Sequence, residues 1–218
     1  SLAPRLATLN GKSVGFIDNI KPNANLFIHH IEELMRADYP DIETHTVRKN
    51  FTSSKPIAHE LAGNVDALVN AWGDEGLHVV VIHDSVYLEK RGVPTSTIVS
   101  TAFLTHGRLA AKNLQLDDLP LVVTPHPLND LTPEEVRELA RAALFFVDQT
   151  LSREDASHYQ ILGLTPDAAT DEIRENHRLL IQLVHPDRRN DGRAWPVTVA
   201  AQRRAGGLES ADLDQRVN

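Results

Sequence analysis

Residues 13–34, SVGFIDNIKPNANLFIHHIEEL, join a short apolar run to an amphipathic stretch, and this junction decides the fold. The run from Ser13 to Ile17 is rich in β-branched and aromatic side chains and predicts a strand. The polar turn Lys21-Pro22-Asn23 follows it. The apolar side chains that then recur at helical spacing are Leu26, Phe27, Ile31 and Leu34. A strand that leads directly into a helix is the repeating unit of α/β proteins.

The same alternation continues to about residue 150. Four further strands are predicted at Thr44 to Val47, Ala67 to Ala71, Thr97 to Val99 and Pro120 to Val123. The helices expected between or after them cover 56–61, 103–114 and 132–149. Residues 77–82 fit either another strand or, with Asp84 to Lys90, the start of a helix that ends at Gly92. We therefore predict an α/β three-layer sandwich with a mostly parallel five-stranded sheet.

Composition changes after this region, because every lysine lies at or before Lys112 and the last third of the chain uses only arginine as its cation. We expect an α/β domain over 1–150, a linker over 151–157 and a small all-helical C-terminal appendage over 158–218. In the appendage, Tyr159 to Leu164 predicts a short helix and Thr170 to Val184 a longer one.

The composition of the 218-residue chain excludes several classes of function. With no cysteine, it has no disulfide framework, no thiolate metal site and no thiol nucleophile. The net charge of -8 is spread along the chain, so nucleic acid is not an expected partner. No apolar run reaches the length of a membrane span and no signal peptide is visible, so we expect a cytoplasmic protein without membrane contact.

The candidate site lies where the predicted strands one, three, four and five end. In an open parallel sheet, ligands bind beyond the carboxyl ends of the strands, near the point where the strand order reverses. The predicted catalytic residues there are Asp74, Glu75, His83, Asp84 and His126. The predicted substrate-binding residues are Asp18, Asn19, Lys21, Gly73, Gly76, Ser100 and Thr101.

Two kinds of chemistry fit these residue types. Paired acids and histidines can hold a divalent metal. The candidate metal ligands are Asp74, Glu75, His78 and His83. Alternatively, a carboxylate acts as a general base toward a small molecule placed by Lys21, with His83 or His126 transferring protons. A structural interpretation, in which Asp74 and Asp84 cap helices, stays open. The chain has neither a Gly-x-Gly-x-x-Gly motif nor a P-loop, so a nucleotide site is not expected.

Several motifs in this region resemble those of the UGSC family, which is named for a selenocysteine-Gly-Ser-Cys motif. The matching segments are Leu9-Asn10-Gly11-Lys12, Asp18-Asn19-Ile20-Lys21-Pro22-Asn23, Trp72-Gly73-Asp74, Ile82-His83-Asp84, Gly92-Val93-Pro94 and Pro125-His126-Pro127-Leu128. The resemblance covers about residues 1–150. It implies a bacterial α/β protein with a selenol or thiol at the end of the third strand, and therefore redox or thiol-dependent chemistry.

The sequence departs from that family at its reactive motif. Asp74 is followed by Glu75-Gly76-Leu77-His78-Val79-Val80-Val81, where the family has selenocysteine or cysteine and then further cysteines. Codons for Ser-Cys-Thr-Ser-Cys, read out of phase, can give Leu-His-Val-Val. We hypothesise a shifted reading around an in-frame selenocysteine codon, and sequencing the coding DNA across codons 70–85 tests it. As written, the chain has the scaffold without its reactive atom.

The appendage resembles the first two helices and the loop of a DnaJ-type J-domain. The segments that carry this likeness are Tyr159-Gln160-Ile161-Leu162-Gly163-Leu164, Ala168-Ala169-Thr170-Asp171-Glu172-Ile173 and His185-Pro186-Asp187-Arg188. The resemblance implies a DnaK-type chaperone as partner, contacted through Arg174, Arg178, His185, Pro186 and Asp187. A third helix is predicted to be degenerate, since Gly206-Gly207 interrupts it.

Three functions remain open from the sequence. The first is a UGSC-like enzyme without the family's full redox activity. The second is a co-chaperone or interaction protein that stimulates a DnaK-type ATPase, and the third is a metal-assisted hydrolase or lyase.

Overall fold

The structure is a computed structural model, and it describes residues 1–50, 57–74, 78–152, 159, 162, 164–184 and 194–197. Its strands are β1 (Ser13–Asp18), β2 (Glu43–Arg48), β3 (Ala67–Gly73), β4 (Thr95–Ser100), β5 (Leu121–Thr124) and β6 (Ala194–Pro196). Its helices are α1 (Ala24–Asp38), α2 (Ile57–Leu61), α3 (His78–Glu89), α4 (Leu104–Asn113), α5 (Pro133–Leu151) and α6 (Thr170–Val184). A short 3-10 helix, Thr101–Phe103, precedes α4.

The strands form one sheet in the order β2-β1-β3-β4-β5-β6, and every neighbouring pair is parallel. All five predicted strands are present, which confirms the α/β fold class. Parallel neighbours need long crossover connections, and the helices between the strands supply them. β1 and β3 are neighbours in the sheet, and the strands that follow each of them in the chain lie on opposite sides of this pair. The loops after β1 and β3 therefore leave toward opposite faces of the sheet.

Helices cover both faces of the sheet. On one face, α1 and α5 pack their apolar sides over β1, β3 and β4 in the largest core cluster, which contains Phe27, Trp72 and Phe146. The opposite face is covered by α2, α3 and α4 through two further clusters. Because both faces are covered, β3 and β4 are buried along their whole length.

The ambiguous run at residues 77–82 forms a helix and not a strand. Helix α3 begins at His78, and its β-branched run places Val81 and Ile82 in the core while Val79 and Val80 are each about 40% exposed. Two exposed residues followed by two buried ones are typical of a helix, because the side chains of a strand alternate between its two faces. Since β3 and β4 are adjacent and parallel, the chain between them must cross over the sheet, and this requirement outweighs the strand propensity of the valines.

The C-terminal segment adds a strand that the sequence did not indicate. Helix α6 has the predicted bounds, but β6 follows it and pairs with the outer edge of β5. The Val197 amide donates to the Val123 carbonyl at 2.7 Å, and the Val197 side chain is buried in the core beside α5. The predicted third helix and most of the predicted linker lie outside the described residues, so the domain boundaries remain predictions.

A buried carboxylate fixes the start of the chain at the amino ends of the strands. Glu89, at the end of α3, accepts hydrogen bonds from the Ala3 amide, the Arg5 guanidinium and the amide and hydroxyl of Thr95. Its side chain has no exposed surface. These contacts lie at the opposite end of the sheet from the candidate site and are structural.

Candidate functional site

The carboxyl ends of β3, β4 and β5 bring together three of the predicted residues. Asp74 directly follows β3 and is buried, with 1% of its surface exposed. Its Oδ1 accepts a hydrogen bond from the Ser100 hydroxyl at 2.9 Å and lies 3.5 Å from Nδ1 of His126. The His126 side chain is 34% exposed. The acid–histidine cluster of Asp74, Ser100 and His126 therefore joins a buried carboxylate to an imidazole that solvent can reach.

This arrangement orients the imidazole. A carboxylate beside Nδ1 favours the tautomer that carries its proton there, which leaves Nε2 available to accept a proton. The buried carboxylate is in turn compensated by the Ser100 hydroxyl and by any positive charge that the His126 ring acquires. Phe103 contacts this ring edge-on, with the two centroids 6.2 Å apart. The cluster can hold and release a proton at a fixed position.

The loop after β1 is held beside this edge by polar contacts. Asp18 is buried, and its Oδ1 accepts from the Ile20 amide at 2.8 Å while Arg48 lies 3.5 Å from Oδ2. Ile20 and Asn23 adopt positive φ angles of 61° and 65°. The Asn23 amide donates to the carbonyls of Leu128 and Leu131, which follow His126 in the chain. The first loop is thus tied to the loop that carries His126, and Lys21 on the first loop is half-buried.

Asn19 belongs to a buried chain of amides and hydroxyls beneath α3. Its Nδ2 donates to Asn70 Oδ1 at 2.7 Å and to the Ala71 carbonyl at 2.8 Å. Asn70 Nδ2 in turn donates to the Val81 carbonyl and to the Ser85 hydroxyl, which also accepts from Thr97. These bonds lock β1, β3, β4 and α3 together, so Asn19 fixes the geometry of the site edge.

Sequence reasoning missed Asn70, Ser85 and Lys49. Asn70 is a polar residue inside the apolar strand Ala67–Gly73, and that exception was a visible signal. Lys49 immediately follows β2, and its Nζ lies 2.5 Å from Asp84 Oδ2. This ion pair is nearly buried on both sides, so it gives Asp84 a structural partner.

The remaining predicted residues are not gathered into the cluster. His83 is exposed on α3 and lines two pockets, neither of which is lined by Asp74, Ser100 or His126. Thr101 is exposed at the start of the 3-10 helix, and Gly73 is the buried last residue of β3. Glu75 and Gly76 lie outside the described residues. Among the side chains that the structure describes, no group of three or more forms a metal site, so the metal-assisted activity stays a prediction.

In the described part of the DnaJ-like segment, α6 carries ion pairs between exposed side chains. On α6, Arg174 lies 3.6 Å from Asp171, and Arg178 donates to Glu175 at 2.6 Å. The hydrogen bond from Arg178 lowers the pKa of Glu175 below its ordinary value, and the same contact raises the pKa of Arg178. The predicted contact residues His185, Pro186 and Asp187 lie outside the described residues.

The fold and the cluster define the class of this protein, an α/β protein with a doubly wound parallel sheet and a polar site at the carboxyl ends of its strands. A model of the UGSC family matches residues 1–153, and the chain belongs to the UGSC family. A model of the DnaJ domain matches residues 157–196, so this segment is similar to a J-domain.

The DnaJ match suggests a partner of the DnaK type in general terms. A comparison with curated proteins gave no match, and a comparison with solved structures gave none either. No helix in the described part of the chain is long and apolar enough to cross a membrane.

Proposed function

We propose that the α/β domain catalyses proton transfer on a small anionic carbonyl compound, with His126 as the acid–base group. The observation that carries this proposal is the contact of the half-exposed His126 ring with the buried Asp74 carboxylate. Asp74 holds the ring in position, as a carboxylate does for histidine in other acid–base sites. Ser100 keeps that carboxylate in place through its hydroxyl.

The charge at this edge supports an anionic substrate. Helices α1 and α3 both begin at the carboxyl ends of strands, and the N-terminus of a helix carries partial positive charge. Lys21 adds a cation on the loop between β1 and α1. Asp18, Asn19 and Thr101 supply polar groups along the same edge. The selenol or thiol chemistry of the family is not part of this proposal, because the chain has no cysteine.

Deuterium exchange tests the proposal without knowledge of the natural substrate. The full chain is incubated in D2O with a panel of 2-oxo and 2-hydroxy acids. Loss of the proton on the carbon next to the carbonyl of the oxo acid, or on the hydroxyl-bearing carbon of the hydroxy acid, is followed by 1H NMR. We expect at least one compound to exchange, and His126→Ala to slow that exchange about 100-fold or more. His106→Ala, at an exposed position on α4, is the matched control. Equal exchange by the His126→Ala protein, or no exchange with any compound, contradicts the proposal.

We propose a second function for the C-terminal segment, stimulation of ATP hydrolysis by a DnaK-type chaperone. The DnaJ match over 157–196 favours it, because that segment contains His185-Pro186-Asp187 directly after α6. Arg174 and Arg178 are exposed on α6 and give it cations for an acidic chaperone surface.

ATP turnover by a purified DnaK-type chaperone, measured with and without the full chain, tests this function. We expect the chain to increase turnover and His185→Gln to abolish the increase. His177→Gln, which changes an exposed histidine on α6, is the control and should keep it. Stimulation that survives His185→Gln contradicts the assignment.

A further inference from the structure

A pocket beside α3 is lined by both apolar and charged side chains. It lies between α2, α3 and the end of α4, and has a volume of about 350 Å³. Its apolar lining consists of Leu114 and the Tyr87 ring, which are partly exposed, with the buried Ala58 and Val86 at its base. This volume is at the lower end of the range for small-molecule sites in proteins.

Two cations at its rim have no carboxylate partner in the described part of the chain. Lys90 Nζ donates to the Leu114 carbonyl at 2.8 Å, and Arg91 Nη1 donates to the Tyr87 carbonyl at 3.1 Å. A carbonyl satisfies a donor but leaves the positive charge in place. The pocket also contains the carboxylate of Asp84, and Lys49 already neutralises it. The rim therefore carries two positive charges in a chain of net charge -8.

Aromatic stacking preorganises the arginine. The Arg91 guanidinium carbon lies 3.5 Å from the centroid of the Tyr87 ring, and the His59 ring stacks on Tyr87 at 3.9 Å and 12°. Two groups this close to one ring must lie on its opposite faces, so the three side chains form a sandwich. A guanidinium that stacks by its face keeps its N–H groups available for an anion, and it loses less conformational freedom on binding.

We propose that this pocket binds a small organic anion, an apolar body that carries a carboxylate or a phosphate. The head group contacts Lys90 and Arg91, and the body lies against the partly exposed side chain of Leu114 and the edge of the Tyr87 ring. His59 and His83 also line the pocket and can donate hydrogen bonds to the head group. None of the residues of the acid–histidine cluster lines it, so this site is separate from the proposed catalytic one.

Titration calorimetry of the full chain tests the proposal with phenyl phosphate and benzoate as probes. We expect saturable binding of at least one probe, and roughly tenfold weaker binding for Arg91→Gln and for Lys90→Gln, the loss that about 1.4 kcal/mol represents. Inorganic phosphate lacks the apolar body and benzyl alcohol lacks the charge, so both should bind more weakly than phenyl phosphate.

Two controls make the result specific. Arg137→Gln removes the same charge from an exposed position on α5, on the other face of the sheet, and should leave binding unchanged. His126→Ala should also leave it unchanged, which separates this site from the proposed catalytic one. No saturable binding up to about 10 mM, or equal weakening by Arg91→Gln and Arg137→Gln, overturns the proposal.

Discussion

Replacement of Glu89 by glutamine tests how much a buried and fully hydrogen-bonded carboxylate contributes to the stability of the described structure. Both oxygens of Glu89 accept from Arg5, and three further donors come from Ala3 and Thr95 at 2.7–2.9 Å. In Glu89→Gln, an NH2 group replaces one carboxylate oxygen and faces other hydrogen-bond donors. Arg5, whose side chain is 12% exposed, loses its counter-charge. Breaking a buried pair in this way costs about 3–5 kcal/mol.

Urea unfolding followed by circular dichroism measures this loss as a lower midpoint. The corresponding fall in melting temperature is roughly 10 °C for a chain of this length. Glu33→Gln is the matched control, because Glu33 is 55% exposed and its partners are His29 and His30 on the same helix, so a change within about 0.5 kcal/mol is expected. A loss below about 1 kcal/mol for Glu89→Gln refutes the argument that this carboxylate secures the start of the chain.

Two smaller effects follow from helix ends and exposed ion pairs. Thr132 and Glu135 form a reciprocal capping box at the start of α5. Thr132→Ala should therefore lower the free energy of unfolding by about 1 kcal/mol in the same urea assay. An unchanged free energy of unfolding would show that the cap does not stabilise the helix. The pKa of Glu175 is lowered mainly by its hydrogen bond from Arg178, so the stabilisation is present above the ordinary glutamate pKa and is lost as the pH falls through the lowered one. A carboxyl NMR titration should show the pKa of Glu175 rising toward its ordinary value in Arg178→Gln, and an unchanged titration would contradict this cause.

The fold was predictable because each of the strands β1 to β5 carries its own sequence signal. Ser13 to Ile17 and Thr44 to Val47 are bounded by polar turns, and the structure extends each predicted strand only at its ends. The start of α5 was predictable from Thr132-Pro133, which combines a capping residue with a proline in the first turn. Such local signals depend on neighbouring residues alone.

The sequence could not indicate features that depend on distant partners. Strand β6 has only three residues, and it forms because β5 offers an unpaired edge far away in the chain. The choice between strand and helix at Val79 to Ile82 depended on whether β3 and β4 are adjacent, which local propensity does not encode. For the site, the strand ends indicated that Asp74, Ser100 and His126 lie at one edge of the sheet, and their role as a site stays a prediction. The pairing of Lys49, which follows β2, with Asp84 on α3 joins residues far apart in the chain and could not be predicted.

One feature at the start of the chain bears on how this domain can be combined with others. Leu6 forms a parallel bridge with Ser152, and its amide donates to the Leu151 carbonyl at 2.9 Å. The first and last segments of the family domain therefore lie side by side, close to the point where the J-domain match begins. A domain whose ends are neighbours can be inserted into another protein, or circularly permuted through a short linker, without separating its sheet from its helices.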